Sequence, residues 1–183
     1  MAKPASDTKQ RIQSVARELF TEKGVQRTSL QDIADRLGIT KPALYYHFGS
    51  RDELVRSILT PLMEEGEIFV AAQERRRRAS RATPRELLEG WFDFHYKHRA
   101  DLVLVVAELT TLADLGLIDS LLAWRERLTR LVFGGRPTLE QSTRAVIAFG
   151  GLQDCCLQFP DAARDRLRAA AVDGALAALG LDG

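Results

Sequence analysis

Apolar residues recur at every third or fourth position along most of the chain, and this helical period limits its fold more than any other feature. In the first segment Ile12, Ala16 and Leu19 repeat at this spacing, and the pattern resumes after each interruption by glycine or proline. Sustained alternation of apolar and polar residues, which is typical of half-buried strands, is nearly absent. The sequence therefore predicts an all-α fold with about nine helices.

Helix-capping residues and prolines divide the chain into segments. Candidate N-caps precede the first four helices: Asp7 or Thr8, Thr28 or Ser29, Thr40, and Ser50 followed by Glu53. We expect Pro61 to kink the fourth helix or split it, because proline removes a backbone hydrogen bond. Further helices are expected at about 84–98, 100–114, 117–133, 138–159 and 161–179.

Composition fits a globular protein, with 45% hydrophobic and 28% charged residues. The polar start MAKPASDTKQ lacks the apolar stretch of a secretory signal, and no apolar run reaches the ~20 residues that span a bilayer. We therefore expect a cytoplasmic protein without a membrane segment. Cys155 and Cys156 are adjacent, a spacing that rarely satisfies disulfide geometry, so reduced thiols are expected.

The net charge of +1 conceals an uneven distribution along the chain. Residues 1–60 contain ten Lys or Arg against seven Asp or Glu, whereas residues 61–183 contain sixteen against eighteen. The basic excess is small, so it permits nucleic-acid binding without arguing strongly for it.

The segment LGITKPALYYHF, residues 37–48, joins two short helices through a turn that contains glycine, which is the sequence form of a helix-turn-helix. On a helical wheel Leu44 and Phe48 share one side. If these two pack inward, an outward surface remains that consists of Lys41, Pro42, Tyr45 and Tyr46. A helix of that width fits the major groove of DNA, with its N-terminal residues nearest the base edges.

The longer stretch TSLQDIADRLGITKPALYYHFGSRDELV, residues 28–55, resembles the DNA-binding domain of TetR-type bacterial transcriptional regulators. The resemblance covers roughly the first 60 residues and is only architectural beyond them. It implies a three-helix, helix-turn-helix DNA-binding domain in residues 1–50, with the start of the fourth helix to about 60 as connector. It also implies a C-terminal helical ligand-binding and dimerisation domain in residues 51–183.

The same resemblance implies which residues contact DNA: hydroxyl and basic groups hold phosphates, and the start of the third helix meets base edges. The predicted DNA-binding residues are Thr28, Ser29, Thr40, Lys41, Pro42, Ala43, Tyr45, Tyr46, His47 and Arg51. Three have structural alternatives, namely Tyr45 as partly core packing, His47 as a solvated side chain, and Arg51 as an ion-pair partner of Asp52 or Glu53.

In the family that the chain resembles, the last two helices form a dimer interface and the middle helices enclose a ligand cavity. The interface candidates are Ala145, Val146, Ala148, Phe149, Leu152, Cys156, Leu157, Leu167, Ala170, Ala171, Ala175, Leu176 and Leu179, although such surfaces equally suit a monomer core. The candidate ligand-binding residues are Trp91, Phe94, His95, Glu108, Thr111, Trp124 and Gln153. Aromatic residues at helical spacing are more often core than pocket, which is the alternative here.

Signatures of catalysis are weak. His95 and His98 can share a helix face, but no spacing fixes a third metal ligand, and neither a glycine-rich phosphate loop nor a nucleophile elbow occurs. We therefore expect no enzymatic activity, no metal and no cofactor. The run Arg75–Arg78 points in several directions on a helix, so we expect a solvated helix end rather than a second nucleic-acid surface.

Two hypotheses follow from these observations. The leading one is a homodimeric repressor that binds a palindromic operator in double-stranded DNA and is released by an unknown small-molecule effector. The alternative is a ligand-independent architectural or replication-associated DNA-binding protein on the same fold.

Overall fold

The structure, a computed structural model, describes residues 5–79 and 83–181, and these residues form ten α-helices and no strand. The helices are α1 (Ala5–Lys23), α2 (Leu30–Leu37), α3 (Lys41–His47), α4 (Arg51–Arg78), α5 (Pro84–Lys97), α6 (Arg99–Ala107), α7 (Leu109–Asp114), α8 (Ile118–Phe133), α9 (Leu139–Gln158) and α10 (Arg164–Leu179). The all-α prediction is confirmed.

The described chain forms two compact units. The first comprises the described residues up to Leu62 together with Val103–Ile118, and the second comprises Met63–Leu102 and the described residues from Asp119 onward. The first unit is therefore discontinuous in sequence. The expected boundary at residue 50 does not anticipate this division, because no local pattern in residues 103–118 shows that they fold with the N-terminal helices.

In the first unit α1 packs on α2, and α2 packs on α3. The apolar stripes predicted for the first two helices are buried, including Ile12, Ala16, Leu19, Phe20, Ile33 and Ala34. The helix α2 begins at a capping box in which the Ser29 side chain accepts the Asp32 N–H and the Asp32 carboxylate accepts the Ser29 N–H. The Ser29 hydroxyl also donates to the Asp32 carboxylate at 2.6 Å, and this bond, together with the one from the Ser29 N–H, holds the pKa of Asp32 below its usual value.

In the second unit α5, α9 and α10 pack against one another. Capping boxes at Thr83 and Thr138 set where α5 and α9 begin. The guanidinium of Arg127 bridges two carboxylates of α4, with nitrogen–oxygen distances of 2.7 Å to Glu67 and 2.9 Å to Glu74. This bridge ties α8 to α4 within the unit.

Several helix boundaries differ from the expected ones. The helix α1 begins at Ala5, ahead of the expected caps Asp7 and Thr8. The expected helix at 100–114 is divided at Glu108, whose φ of −126° and ψ of 36° are not helical. This division accounts for ten helices rather than about nine.

The proline in α4 does not split the helix, which continues from Arg51 to Arg78. A proline inside a helix costs about 3 kcal/mol. Ile58, Leu59 and Leu62 flank it and are fully buried, and each such side chain contributes about 1.5–3 kcal/mol on burial. Packing around Pro61 therefore offsets its cost.

The run Arg75–Arg78 forms the last turn of α4, and all four side chains are exposed. One of them, Arg76, lies 3.0 Å from the carboxylate of Glu86.

Among the helices that the structure describes, none combines the length and the apolar character of a membrane-spanning segment. Within the described ranges no group of three or more His, Cys, Asp or Glu could hold a metal ion.

Candidate nucleic-acid interface

The turn between α2 and α3 fixes where α3 starts. Gly38 closes α2 with a φ of 66°, a left-handed conformation that glycine adopts without steric cost. The hydroxyl of Thr40 then accepts the Ala43 N–H as the N-cap of α3, and Pro42 occupies the first turn. The Thr40 cap and the turn at Gly38 therefore set where α3 begins.

Two side chains attach α3 to the core of the first unit. Leu44 has 0% of its surface exposed and Phe48 has 1%. They lie one turn apart on one side of the helix, as the helical wheel predicted. Because a seven-residue helix is unstable alone, these two anchors determine which side of α3 faces solvent.

The opposite side of α3 is exposed. Tyr46 has 84% of its surface accessible and Tyr45 has 45%, and the three residues of the first turn are also exposed. The ammonium of Lys41 lies 5.6 Å from the centre of the Tyr45 ring, within cation–π range. We call the surface formed by Lys41, Pro42, Ala43, Tyr45 and Tyr46 the reading face. It offers a cation, phenol hydroxyls and small apolar groups on a helix narrow enough for a major groove.

The two hydroxyl residues before α2 differ in position. Ser29 is exposed at the N-cap, as expected for a phosphate contact. Thr28 is only 1% exposed, and its hydroxyl donates to the backbone oxygens of Gly24, at 2.9 Å, and Leu19, at 3.3 Å. The Thr28 side chain is therefore engaged within the domain, and its expected contact with DNA stays a prediction.

The basic and imidazole groups after the reading face also have defined surroundings. His47 is half-buried, with its ring edge-on to Tyr46 at 5.3 Å between centroids. The Arg51 guanidinium donates to the Gln26 backbone oxygen at 3.0 Å and to its side-chain oxygen at 2.8 Å. Arg51 thus bonds Gln26 rather than the acidic residues beside it, and two of its nitrogens are engaged within the domain.

Sequence comparison agrees with this geometry. Residues 12–58, which include α2, α3 and the reading face, match the bacterial regulatory proteins of the tetR family. Residues 12–58 of this chain are thus similar to the tetR-family domain. The matched family consists of regulatory proteins and not of enzymes.

Two curated relatives extend the comparison of the tetR-family domain. The HTH-type transcriptional regulator TtgR of Pseudomonas putida is 39% identical over 70 residues, which are 38% of this chain and 33% of TtgR. The HTH-type transcriptional repressor KstR2 of Mycobacterium tuberculosis is 33% identical over 104 residues, which are 55% of this chain and 50% of KstR2. The chain thus spans between a third and a half of the length of these relatives.

A solved structure extends the similarity beyond the tetR-family domain at the level of fold. The TetR-like transcriptional regulator from Rhodococcus superposes with a TM-score of 0.73, covering 98% of this chain and 99% of that one, at 22% sequence identity. At this identity the comparison shows that the two proteins share a fold, and it carries no information about a ligand.

Four of the expected ligand-binding residues lie together in the second unit. Trp91, Phe94, His95 and Trp124 are all buried, and their rings contact one another at centroid distances from 4.2 to 6.2 Å. Burial lowers the pKa of His95 to about 4, so the ring is neutral at pH 7. The Trp91 and Trp124 N–H groups donate to the Phe149 backbone oxygen and to a Glu67 carboxylate oxygen. We call these four residues the aromatic cluster.

The remaining three expected ligand residues lie elsewhere. Glu108 and Thr111 belong to the first unit, where they bond the turn between α1 and α2, and their expected role as ligand-binding residues stays a prediction. Gln153 lines a surface groove of about 420 Å³ beside Arg125.

The expected dimer interface stays a prediction, because a single chain does not test it. Most of its residues are buried within the chain itself, where α9 and α10 pack on each other and on α5: Ala145, Ala148, Phe149, Leu152, Cys156, Leu167, Ala175, Leu176 and Leu179. Val146 and Ala170 remain exposed. The outward face of α9 carries Ile147, Gly150 and Gly151, which were not among the residues predicted for the interface.

Proposed function

We propose that this protein is a sequence-specific DNA-binding transcriptional regulator that inserts α3 into the major groove. The observation that carries the proposal is the division of α3 into a buried side, with Leu44 and Phe48, and an exposed reading face. A globular protein rarely leaves a tyrosine as exposed as Tyr46 beside a second one without a use for the surface. The tetR-family match over the same residues supports this use.

The chemistry of the reading face suggests how bases are read. The ammonium of Lys41 suits guanine O6 and N7, whereas Pro42 and Ala43 suit the methyl group of thymine. Ser29, Thr40 and the Tyr45 hydroxyl suit phosphate oxygens, which set the position of the domain on the duplex. Each of these groups is exposed, apart from the half-exposed Tyr45 ring.

We further propose that the protein acts as a homodimer. Val146 and Ile147 are 53% and 59% exposed, and Gly150 and Gly151 follow one turn later. On α10 the small residues Ala169, Ala170, Gly174 and Ala177 are exposed at helical spacing. Small residues let helix axes approach closely, so these faces suit a four-helix contact between two copies. A twofold dimer requires a palindromic operator with half-sites about one helical turn apart.

Repression relieved by a small molecule is the mode of regulation that we propose. KstR2 of Mycobacterium tuberculosis and KstR2 of Rhodococcus jostii are named as transcriptional repressors, which supports repression. An effector shifts DNA affinity only by its preference between two conformers. Since the chromosome is its target, the cytoplasm is the proposed compartment.

Selection of bound duplexes from a random pool tests DNA reading directly. We expect the protein to enrich a palindrome, and affinity for it to fall steeply with salt as phosphate counterions are released. Lys41→Ala should weaken binding about 5- to 100-fold and relax the base preference at one position in each half-site. The matched control is Arg136→Ala, which removes an exposed cation from the α8–α9 connection and should change neither. Enrichment of no sequence over bulk DNA would refute the proposal.

The dimer is tested by sedimentation. Ile147→Glu should yield monomers, because a charge would be buried at the contact. Phe159→Glu is the control, since Phe159 is also exposed at the end of α9 but lies a third of a turn away around the axis. A wild-type monomer at micromolar concentration, or a dimer unaffected by Ile147→Glu, counts against this interface.

Ligand-independent DNA binding is a second candidate, and the close ring contacts in the aromatic cluster favour it. Both tryptophans of the chain, Trp91 and Trp124, lie in that cluster. A compound that enters it should change tryptophan fluorescence and lower affinity for the selected operator together. Compounds that change neither across a broad metabolite library would favour the second candidate.

A further inference from the structure

A chain of hydrogen bonds joins the α6–α7 junction to both ends of the helix-turn-helix. One oxygen of the Glu108 carboxylate accepts the Val25 backbone N–H at 2.8 Å, and the other accepts the Thr111 hydroxyl at 3.1 Å. The Thr111 oxygen in turn accepts the Gln26 side-chain amide at 3.2 Å. Gln26 also accepts both hydrogen bonds from Arg51 described above. We call Glu108, Thr111, Gln26 and Arg51 the turn clamp.

The turn clamp lies where α3 is held from two directions. Val25 and Gln26 form the turn that leads into α2, and Arg51 is the first residue of α4, three residues after Phe48. The segment from α2 to the start of α4, with α3 inside it, is thus fixed at both ends to the α6–α7 junction.

The surroundings of Glu108 show that the contact is specific. Val25 is fully buried, so its N–H has no access to water and would be left without an acceptor among the described residues if Glu108 were removed. Gly24 beside it has a φ of 87°, and a Cβ there would lie 3.1 Å from the Glu108 carboxylate. Thr111 is 3% exposed. The Val25 N–H, the Thr111 hydroxyl and the close approach of Gly24 therefore define the position of the Glu108 carboxylate against the turn.

We propose that Glu108 and Thr111 are positioning residues for DNA reading, which fix the orientation of α3 by clamping the turn and, through Gln26, the start of α4. The inference rests on the proposed function, since orientation matters only where two reading faces must match two half-sites. The helix breaks at Glu108, the same residue whose carboxylate accepts the Val25 N–H.

The clamp predicts a loss of spacing discrimination rather than of base recognition. The probes are duplexes with the half-sites selected by the unmodified protein, separated by the selected spacing or by one base pair more or less. We expect Glu108→Ala to reduce the ratio of affinities between the best and the altered spacing about tenfold, the effect of losing one charge-assisted hydrogen bond. The selected half-site sequence should not change. A role in stability alone would lower all affinities together and leave the ratio as it was.

Three further variants complete the design. Glu108→Gln keeps an acceptor for the Val25 N–H and should restore most of the discrimination. Thr111→Val removes only the hydroxyl and should cause a smaller loss, which carries the test if Glu108→Ala does not fold. Asp114→Ala is the matched control, since this carboxylate is exposed at the end of α7 without a hydrogen bond to any described residue.

Hydrogen exchange at the Val25 amide provides the independent readout. Glu108→Ala should increase the exchange rate of this amide, whereas Glu108→Gln and Asp114→Ala should leave the amide as protected as in the unmodified protein. If the unmodified protein selects no sequence, the proposed function fails. If it selects a palindrome with a defined spacing, and folded Glu108→Ala and Thr111→Val keep its full spacing discrimination, the clamp is refuted and the function stands.

Discussion

The division of α3 into anchoring and reading sides predicts that substitutions on the two sides have opposite effects. Leu44→Ala removes three carbon atoms from a fully buried position on a helix of seven residues. Buried Leu→Ala substitutions cost about 2–5 kcal/mol, from lost transfer free energy and the cavity that remains. We expect about 3 kcal/mol, since the short helix can relax partly into the space. Tyr46→Ala, at an exposed position, should cost under about 0.5 kcal/mol.

Urea unfolding and DNA binding measure the two sides separately. Circular dichroism reports helix in both units, whereas Trp91 and Trp124 report the second unit by fluorescence. Leu44→Ala should shift the circular dichroism transition to lower urea and move the fluorescence transition less. Tyr46→Ala should leave both transitions in place and weaken binding to the selected operator about tenfold, as loss of one good contact does. Equal destabilisation by the two variants, or a Tyr46→Ala protein with undiminished DNA affinity, would refute the assignment of sides.

Three other properties follow from the second unit. His95 binds a proton less readily in the folded than in the unfolded protein, because burial lowers its pKa to about 4. The contribution of the neutral ring to the free energy of unfolding should therefore be fully present above about pH 6.5 and should fall by up to ~3 kcal/mol as the pH drops toward 4. In urea unfolding curves measured at a series of pH values, His95→Phe should remove this decrease. Arg127→Met should lower the free energy of unfolding by roughly 1–2 kcal/mol in a fluorescence-monitored urea titration, since two half-exposed carboxylates lose their shared cation. Burial raises the pKa of Cys155 and raises that of Cys156 to about 12, so both thiols should react slowly with a disulfide reagent at pH 7 and quickly once urea unfolds the chain.

Local patterns anticipated the first unit well, because its helices carry their own signals. The helix α2 has a cap, an apolar stripe and a closing glycine, and α3 has a cap and two apolar residues one turn apart. Both helices therefore begin and end close to where the residues indicate. The wheel also placed Leu44 and Phe48 correctly, since two residues one turn apart must share a side. The sequence does not distinguish Thr28 from Ser29, because their side chains are chemically similar. In the structure Thr28 is buried and Ser29 is exposed to solvent.

Local patterns were silent about residues whose partners are far away in sequence. Glu108 and Thr111 looked like polar anchors of a ligand cavity, yet they bond a turn more than 80 positions earlier. Helical periodicity cannot report such a partner, because it describes one helix at a time. The same limit applies to α9, where the apolar side predicted as a dimer interface packs within the chain and Gly150 with Gly151 lies outward. A pattern shows that a face is apolar, but not what covers it.

The discontinuity of the first unit constrains how this protein can be recombined with its relatives. A DNA-reading head cut out at residue 50 or 62 would leave behind Val103–Ile118, and with it the acceptor of the Val25 amide. A chimera that grafts this head onto a foreign sensor must therefore carry a compatible α6–α7 junction. The unit that can be transferred therefore consists of two stretches of chain, and residues of one stretch that contact the other must change together with their partners.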